Sequence, residues 1–545
     1  MRGQDFIPEI RLELEQNPPG SSSITRKIDE VYQRLNIAKQ RRYHQILREE
    51  DGWQDAFVER NANVIYPAGD GQEVGGACRS CRKLPVDRYV SSRYGRNSCR
   101  RCNEDFELGR FLIRTTLVAY RRGEAATSEN AFDLAFFPRN QRYTVRLAAT
   151  PELLEAFAPL HVEYLAIDRA CFEDEDAYNE RQTLATTTSH RHPTRRRYLA
   201  NYVPREGNEI VSFSDLAERC GRLEQQGEVE PLLGIVKMDV DQLGLLVSEG
   251  LGKATSIARM ATFSRMVDLF FSGWVDTKLR RLTLASEQSR QRRDSVEQAA
   301  ANPFRDIYTV YAGGDDLMLV GPWDIAVRAA YELQADFQRF TNHNPNLTVS
   351  TSVVVIKPRY PVARAAQQAS KLLEEHAKQA GRNRLHLFGI TVPWYERTPA
   401  KSDDAGENQL RQNLGDRTVV TSDPPQPVEA AMLWHWAEFF DDALYKYRQS
   451  RQRGSESYPV SNILLHRLLR LSLASQRIAA AGAGTIDDLT YMAHLAYFLG
   501  RSIDAKKHPD LLQKLMSLTL FNQVQLMAHL QMPLTWALYR NRQRS

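Results

Sequence analysis

The sequence predicts an α+β protein built around a polymerase-like palm, and three observations carry that reading. The stretch YAGGDDL, Tyr311 to Leu317, lies between two apolar runs, IYTV and LMLV. This is the pattern of two strands joined by a tight turn with two carboxylates at its tip. A second apolar run, PLLGIVKM, ends in Asp239-Val240-Asp241. From residue 229 to 395 strand and helix patterns then alternate as β-α-β-β-α-β-α-β. That order suits an antiparallel-rich sheet backed by helices, as in ferredoxin-like palms.

The chain has 545 residues, room for about three to four domains of about 150 residues each. With 42% hydrophobic and 26% charged residues it is globular in composition. It contains no apolar run of membrane-spanning length. The start, MRGQDFIPEI, lacks a basic-then-apolar leader pattern. A cytoplasmic protein without a membrane partner is expected. A net charge of +5 is too small to argue for nucleic acid by itself. The arginine clusters at Arg195 to Arg197 and near Arg290 to Arg293 read as solvated loops.

Residues 1–70 read as a polar helical segment, broken by PPGSSS at 18–23. Next comes a cysteine-bearing region, 71–125. Cys78 and Cys81, then Cys99 and Cys102, form two CxxC pairs separated by 17 residues. Four thiolates at this spacing match a closed tetrahedral zinc site, structural because no coordination position stays open. Cys171 and Cys220 lack such spacing and read as packing residues. The run FELGRFLIRTTLVAY follows as helix or strand. Residues 126–228 form an α/β connector.

Within the palm, 229–395, PLLGIVKM is the first strand, and a helix is expected from about Lys253 to Leu282. The charged segment SEQSRQRRDSVEQAAANP reads as a protruding insertion. A second helix is expected from Asp324 to about Thr341 and a long strand over 347–356. A third helix opens at Pro361 and stops at Gly381. LHLF at 385–388 is the last strand. Residues 396–426, rich in proline and aspartate, read as a linker. From 427 to 545 four apolar-striped segments predict a C-terminal helical bundle. His435, His466, His494 and His529 fall on these segments without metal-ligand spacing.

The chemistry concentrates at the palm. Asp239 closes one strand, while Asp315 and Asp316 stand on the neighbouring hairpin. Three carboxylates at one sheet edge can hold two Mg²⁺ (or Mn²⁺) ions about 3.5–4 Å apart. Gly313 and Gly314 let the backbone turn and leave room for a phosphate. Lys378 and Arg382, four residues apart at a helix end, are expected to share a face and to bind triphosphate oxygens. Asp241 faces with Asp239 only if the strand continues past Val240.

Together, Asp239-Val240-Asp241, the Gly313-Gly314-Asp315-Asp316 turn and Lys378-x-x-Gly381-Arg382-Asn383 resemble the nucleotidyl cyclase palm of diguanylate cyclases in order and spacing. VYAGGDDLMLVGPWD, KMDVDQLG, RNRLHLFG and NEIVSFSDLAE look more narrowly like the large subunit of type III CRISPR effector complexes of the Csm kind. The upstream CxxC pairs with FELGRFL, and SNILLHRLLRL near the C-terminus, fit the same family.

The resemblance implies an antiviral-defence nucleotidyltransferase that makes cyclic oligoadenylates from ATP. It would act when its RNA-guided complex, with guide RNA, small subunit and guide-end subunit, holds a target RNA. Asp239, Asp315 and Asp316 would be magnesium ligands, Lys378 and Arg382 phosphate clamps, and the cysteines zinc ligands. Two departures stand out. Family members carry an N-terminal HD nuclease and a first palm ahead of the cysteines. Only 77 residues precede Cys78 here, and no His-Asp dipeptide occurs. No DNase activity is expected from this chain, and a separate chain carrying the first palm is a candidate partner. The guanine-reading Asn of diguanylate cyclases would fall where this chain has Val247, which weakens a guanine-specific reading and is compatible with adenine. The alternatives are a stand-alone cyclic dinucleotide synthase and a non-catalytic scaffold of the ribonucleoprotein.

Overall fold

The computed structural model describes residues 77–81, 84–87, 97–113, 115, 117–123, 131–136, 143–148, 157, 159, 161–166, 194–206, 209–222, 229–247 and 256–279. It further describes 303–379, 381–395, 428–454, 458–481, 490–519 and 524–544, together with Gln33, Arg34 and Ile37. The N-terminal helical segment, the insertion after residue 280, the linker at 396–426 and Cys171 therefore lie outside the described residues, apart from those three positions. The chain divides into two compact units, residues 1–201 with 244–266, and residues 202–243 with 267–545.

The first unit holds the cysteine region and a five-stranded sheet. Helix α1 (Arg100–Leu112) starts directly on Cys99, which is its N-cap. The strands are β1 (Leu117–Arg122), β2 (Phe132–Phe136), β3 (Tyr143–Ala148), β4 (His161–Ala166) and β5 (Thr194–Tyr198). They are ordered β2-β3-β1-β4-β5. The stretch FELGRFLIRTTLVAY thus divides into the end of α1 and β1. Asp133 and Arg146 face each other across β2 and β3. The buried guanidinium makes two bonds to that carboxylate, Nε to Oδ1 at 2.8 Å and Nη2 to Oδ2 at 2.7 Å. The bidentate geometry satisfies a charge that burial would otherwise penalise. Arg195, Arg196 and Arg197 lie on β5, at the sheet edge and paired in parallel with β4, not in a loop.

The second unit contains the palm. Its strands are β6 (Leu233–Val240), β7 (Tyr308–Gly313), β8 (Asp316–Pro322), β9 (Val349–Ile356), β10 (Arg384–Leu387) and β11 (Ile390–Pro393). The sheet order is β11-β10-β9-β6-β8-β7. β6 is central, paired antiparallel with β8 on one side and β9 on the other. Its residues from Leu233 to Val236 are all buried, as a strand covered on both faces requires. The strand predicted at 385–388 is one arm of a hairpin. Its partner β11 pairs Arg384 with Pro393 through Leu387 with Ile390. The turn between them uses positive φ at Phe388 (51°) and Gly389 (78°).

Helix α2 (Phe213–Glu218) precedes the palm, capped by Ser212, whose Oγ accepts from the Asp215 amide. Helix α3 (Ile257–Asp268) runs on through a π-helical turn at Leu269–Trp274. Helix α4 (Trp323–Phe340) follows β8. Helix α5 (Val362–Leu372) passes into a second π-helical stretch at Leu373–Lys378. α2 and α5 cover one side of the sheet, where Leu216, Ile235, Val320, Val354, Ala365 and Ala369 share a buried core.

The C-terminal region is helical in its described residues: α6 (Ala430–Gln452), α7 (Asn462–Ala481), α8 (Thr490–Ser502), α9 (Pro509–Met516), α10 (Val524–His529) and α11 (Gln531–Arg540). Helix α9 was not anticipated. His435, His466 and His494 are exposed and His529 is half-buried. No helix among the described residues is long and apolar enough to cross a membrane. Aromatic packing joins α4 of the palm to this region. Trp323 meets Trp536 edge-on at 4.8 Å between ring centroids, and Trp434 packs on Trp536 at 4.9 Å. Beneath them Asp441 accepts from Arg222, Arg540 and Asn541. Trp536→Ala removes a buried ring from this seam and is expected to cost about 3–5 kcal/mol. Urea unfolding followed by circular dichroism measures that loss, and an unchanged midpoint would contradict the packing described.

Candidate active site and cysteine centre

Pairing between β6 and β8 sets the site. Asp239 and Asp316 are direct partners in that antiparallel register. The backbone carbonyl of Asp315 accepts from the Val240 amide at 3.0 Å, which ties the turn to the end of β6. All three aspartates therefore stand at one edge of the sheet. Like charges placed directly opposite each other repel, and two lysines offset the repulsion. Lys378 Nζ lies 2.8 Å from Asp239 Oδ1 and 2.9 Å from Glu374 Oε1. Lys237 Nζ donates to Asp316 Oδ2 at 3.2 Å and to the Tyr311 hydroxyl, which itself donates to Asp316 Oδ2 at 3.2 Å.

Burial raises the Asp239 carboxyl, and the neighbouring Asp315 and Asp316 add to the rise. Lys378 opposes it, and the group ends at about 6. Burial lowers the Lys378 ammonium, but its bonds to Asp239 and Glu374 raise it overall.

Asp241 does not join the other carboxylates. It is 2% exposed and fully engaged in structure. Its carboxylate accepts from Thr348 Oγ1 at 2.8 Å, Ser350 Oγ at 2.7 Å and the Asn383 amide at 2.9 Å. The strand ends at Val240, and Gln242 turns to φ 55°, so period-two alternation does not carry through.

Arg382 also departs from expectation. It does not share a helix face with Lys378. The helix ends near Gln379, and Gly381, Arg382 and Asn383 take φ of 112°, 63° and 52°. Left-handed backbone at two non-glycine residues needs external support. Asp241 supplies part of it. The Asn383 carbonyl, accepting from the Trp394 amide at 2.8 Å, and the Asn383 side chain, donating to the Tyr395 carbonyl at 2.8 Å, supply the rest.

The two glycines of the turn have different tasks. Gly314 takes φ +66°, and nothing lies near the place of its missing Cβ. A Cβ on Gly313 would stand 3.0 Å from Ser272 Oγ. A side chain at 313 would thus press on Ser272, which would have to shift by a few tenths of an ångström. The sequence signals for Lys237 and Tyr311 were present but unread, since Lys237 alternates with Asp239 on one strand face. Asp268 and Ser272, which touch the turn, carry no local signal.

The four cysteines are free thiols, not disulfides. Their Sγ atoms all lie within 4.8 Å of one another. Cys81 and Cys99 Sγ are 3.9 Å apart. Tetrahedral zinc with bonds of about 2.3 Å separates its sulfurs by about 3.8 Å, so the set fits the ion. Burial raises the Cys78 thiol, but backbone N–H groups of Cys81, Cys99 and Ser80 bring it down to about 6. Burial pushes Cys99 and Cys102 up; hydrogen bonds from Cys78 and Cys81 add to the rise in both, while those from Cys102 oppose it at Cys99. Cys220 is buried elsewhere, its Sγ 3.4 Å from the Glu230 carbonyl. Among the described residues the three aspartates are not gathered as tightly as the cysteines. Their oxygen donors nonetheless suit a hard divalent cation.

Fold and site together define a palm domain. Residues 232–386 match the family model described as Cas10/Cmr2, second palm domain. Over about a third of its length the chain is homologous to Cas10/Csm1 large subunits of subtype III-A. It is 32% identical over 197 residues to the CRISPR system single-strand-specific deoxyribonuclease Cas10/Csm1 of Methanocaldococcus jannaschii, covering 34% of this chain and 23% of that protein. To the protein of the same description from Mycobacterium tuberculosis it is 33% identical over 193 residues, 34% of this chain and 22% of that one. The matched segment thus spans less than a quarter of either relative. Among solved structures it is similar to a Csm1-Csm4 cassette in complex with pppApApA, at 18% identity and TM-score 0.45 over 78% of this chain and 49% of that one. A Csm1-Csm4 cassette in complex with cA4 aligns at 18% identity and TM-score 0.40, over 76% and 48%.

Two outcomes follow from this geometry. Treating the chain with a mercurial thiol reagent should release one zinc per chain, read with a metallochromic dye, and lower the unfolding temperature. Absence of zinc in protein purified without chelator would contradict the site. Asp239 holds its proton more tightly folded than unfolded, since its folded value of about 6 exceeds the ordinary 3.8. Its ionisation therefore removes stability as pH rises through 6. Without divalent cation, the unfolding temperature of wild type relative to Asp239→Asn should climb as pH falls from 7 to 4. A flat difference would show an ordinary carboxyl.

Proposed function

We propose that this chain is the palm-bearing large subunit of an RNA-guided type III CRISPR effector complex, and that it converts ATP to cyclic oligoadenylates on target RNA binding. The observation that carries the reading is the register pairing of Asp239 with Asp316 inside the segment matching the Cas10/Cmr2 second palm. The βαββαβ order with β6 central suits a ferredoxin-like palm, and the C-terminal helices suit a small bundle. A guide RNA, a target RNA, the small and guide-end subunits and a chain carrying a first palm are the partners this reading requires, in the cytoplasm.

Divalent cations held by Asp239, Asp315 and Asp316 would supply charge neutralisation at the phosphates. The chain's own residues do the positioning, which dominates phosphoryl transfer. Lys378, beside Asp239, brings positive charge to the carboxylate edge where triphosphate oxygens approach. Arg382, presented on its left-handed turn, adds a planar donor at the same end of the sheet. The Gly313-Gly314 turn keeps side chains away from the nucleotide. The 3′-hydroxyl of one ATP then attacks the α-phosphorus of another, and pyrophosphate leaves.

The test is incubation of the purified complex with labelled ATP, Mg²⁺ and matched target RNA. Asp315→Ala combined with Asp316→Ala should lower synthesis by at least about a hundredfold, the order lost with a single charge-stabilising group, while assembly stays intact. Undiminished synthesis would overturn the assignment. Product made from GTP by the chain alone would instead favour a stand-alone dinucleotide synthase. An assembled wild-type complex that makes no product would leave a scaffold.

A further inference from the structure

Asp268 lies at the last position of α3, where the helix widens into the π-helical turn Leu269–Trp274. Its Oδ1 accepts from Ser272 Oγ at 2.8 Å and from the Gly314 amide at 2.9 Å. Ser272 is buried, and its Oγ also lies 3.5 Å from the Ala312 carbonyl. These two side chains therefore grip the turn on both sides of Gly313.

The helix that carries them is firmly anchored. Phe270 and Phe271 are fully buried and pack on Phe337 of α4 at 5.0 and 6.0 Å between centroids. Trp274 Nε1 and Lys278 Nζ donate to the buried Asp336 at 3.0 and 2.6 Å. Asp276 accepts from the Tyr202 amide at 3.0 Å. This anchored helix thus reaches the two-glycine turn, in which Gly314 is exposed and Gly313 half-buried. Asp268 brings a carboxylate acceptor to this tip. The Gly314 amide, at a residue with φ +66°, meets that acceptor at 2.9 Å.

We propose that Asp268 is a positioning residue. It fixes the Gly313-Gly314 turn, and through it the direction of Asp315 and Asp316, by accepting the Gly314 N–H while Ser272 holds its carboxylate in place. The proposal rests on the reading of Asp315 and Asp316 as cation ligands. Groups behind a ligand commonly contribute about 10–100-fold to metal affinity. An amide oxygen can accept the same N–H, so Asn should substitute for Asp at 268, whereas Ala should not.

The experiment uses the full chain and two readouts that need no turnover. Mn²⁺ affinity is followed by electron paramagnetic resonance, and amide exchange is followed by mass spectrometry on a peptide covering 311–317. Asp268→Ala should speed exchange in that peptide by about five- to tenfold, the factor of one lost hydrogen bond. It should also weaken Mn²⁺ binding by about tenfold. Asp268→Asn should stay within about threefold of wild type in both. Wild-type behaviour of Asp268→Ala, or equal damage from Asn and Ala, overturns the proposal. Should Asp268→Ala fail to fold, Ser272→Ala should shift both readouts in the same direction by a smaller factor, and no shift overturns it. A wild-type chain that binds no Mn²⁺ would defeat the cation-ligand reading, while the exchange comparison still judges the clamp.

Discussion

Two carboxylates facing each other across paired strands make a costly arrangement, and the rest of the palm is organised around keeping them there. Asp239 and Asp316 meet because β6 and β8 pair continuously from Asp316 to Pro322. That register is held by apolar side chains with no part in chemistry, among them Ile235, Met238, Leu317 and Leu319, all fully buried. A slip of one residue would send these side chains to the opposite face and part the aspartates. The site is thus set by burial of the flanking strand residues, at about 25 cal/mol for each Å² of apolar surface removed from water. The local repulsion is then managed by Lys378 and by the Lys237–Tyr311 pair.

The same economy appears in the division of work within Asp239-Val240-Asp241. The first aspartate is left partly accessible and crowded, with its carboxyl pushed up to about 6. The second is buried and surrounded by donors that satisfy a full negative charge. Those donors come from three places: the start of β9, the residue just before it, and the turn after α5. Asp241 therefore ties the end of the central strand to the loop that presents Arg382. Non-glycine residues in left-handed conformation cost about 1–3 kcal/mol each, and the bonds to Asn383 offset that cost.

Much of this was legible in the chain. Alternating apolar runs marked β6, β7, β8 and β9, and helical spacing marked α4 and α5, because each buries a defined face. The cysteine spacing alone indicated a closed four-thiol set, and the sulfurs do gather. Other features were not legible. The shared helix face of Lys378 and Arg382 failed because the helix stops near Gln379 and the next described residues turn left-handed. The arginines at 195–197 read as a loop because charge masks strand pattern at a sheet edge. The hairpin partner Ile390–Pro393 was missed because four residues are too few to show a period. Asp268 and Ser272 were invisible because they meet the turn from more than forty residues away, a contact made only by folding.

Asp241 has one more implication, for how copies of this palm are compared. Surveys that sort such domains into competent and decayed would inspect the glycines and the three outward aspartates. A copy could keep every one of them and still lose its geometry by exchanging a single buried carboxylate for an apolar residue. The turn bearing Arg382 would then lose its anchor to the central strand, with Thr348 and Ser350 left facing a side chain that accepts nothing. The geometry of this edge can therefore be lost through a residue that lies outside the carboxylate cluster.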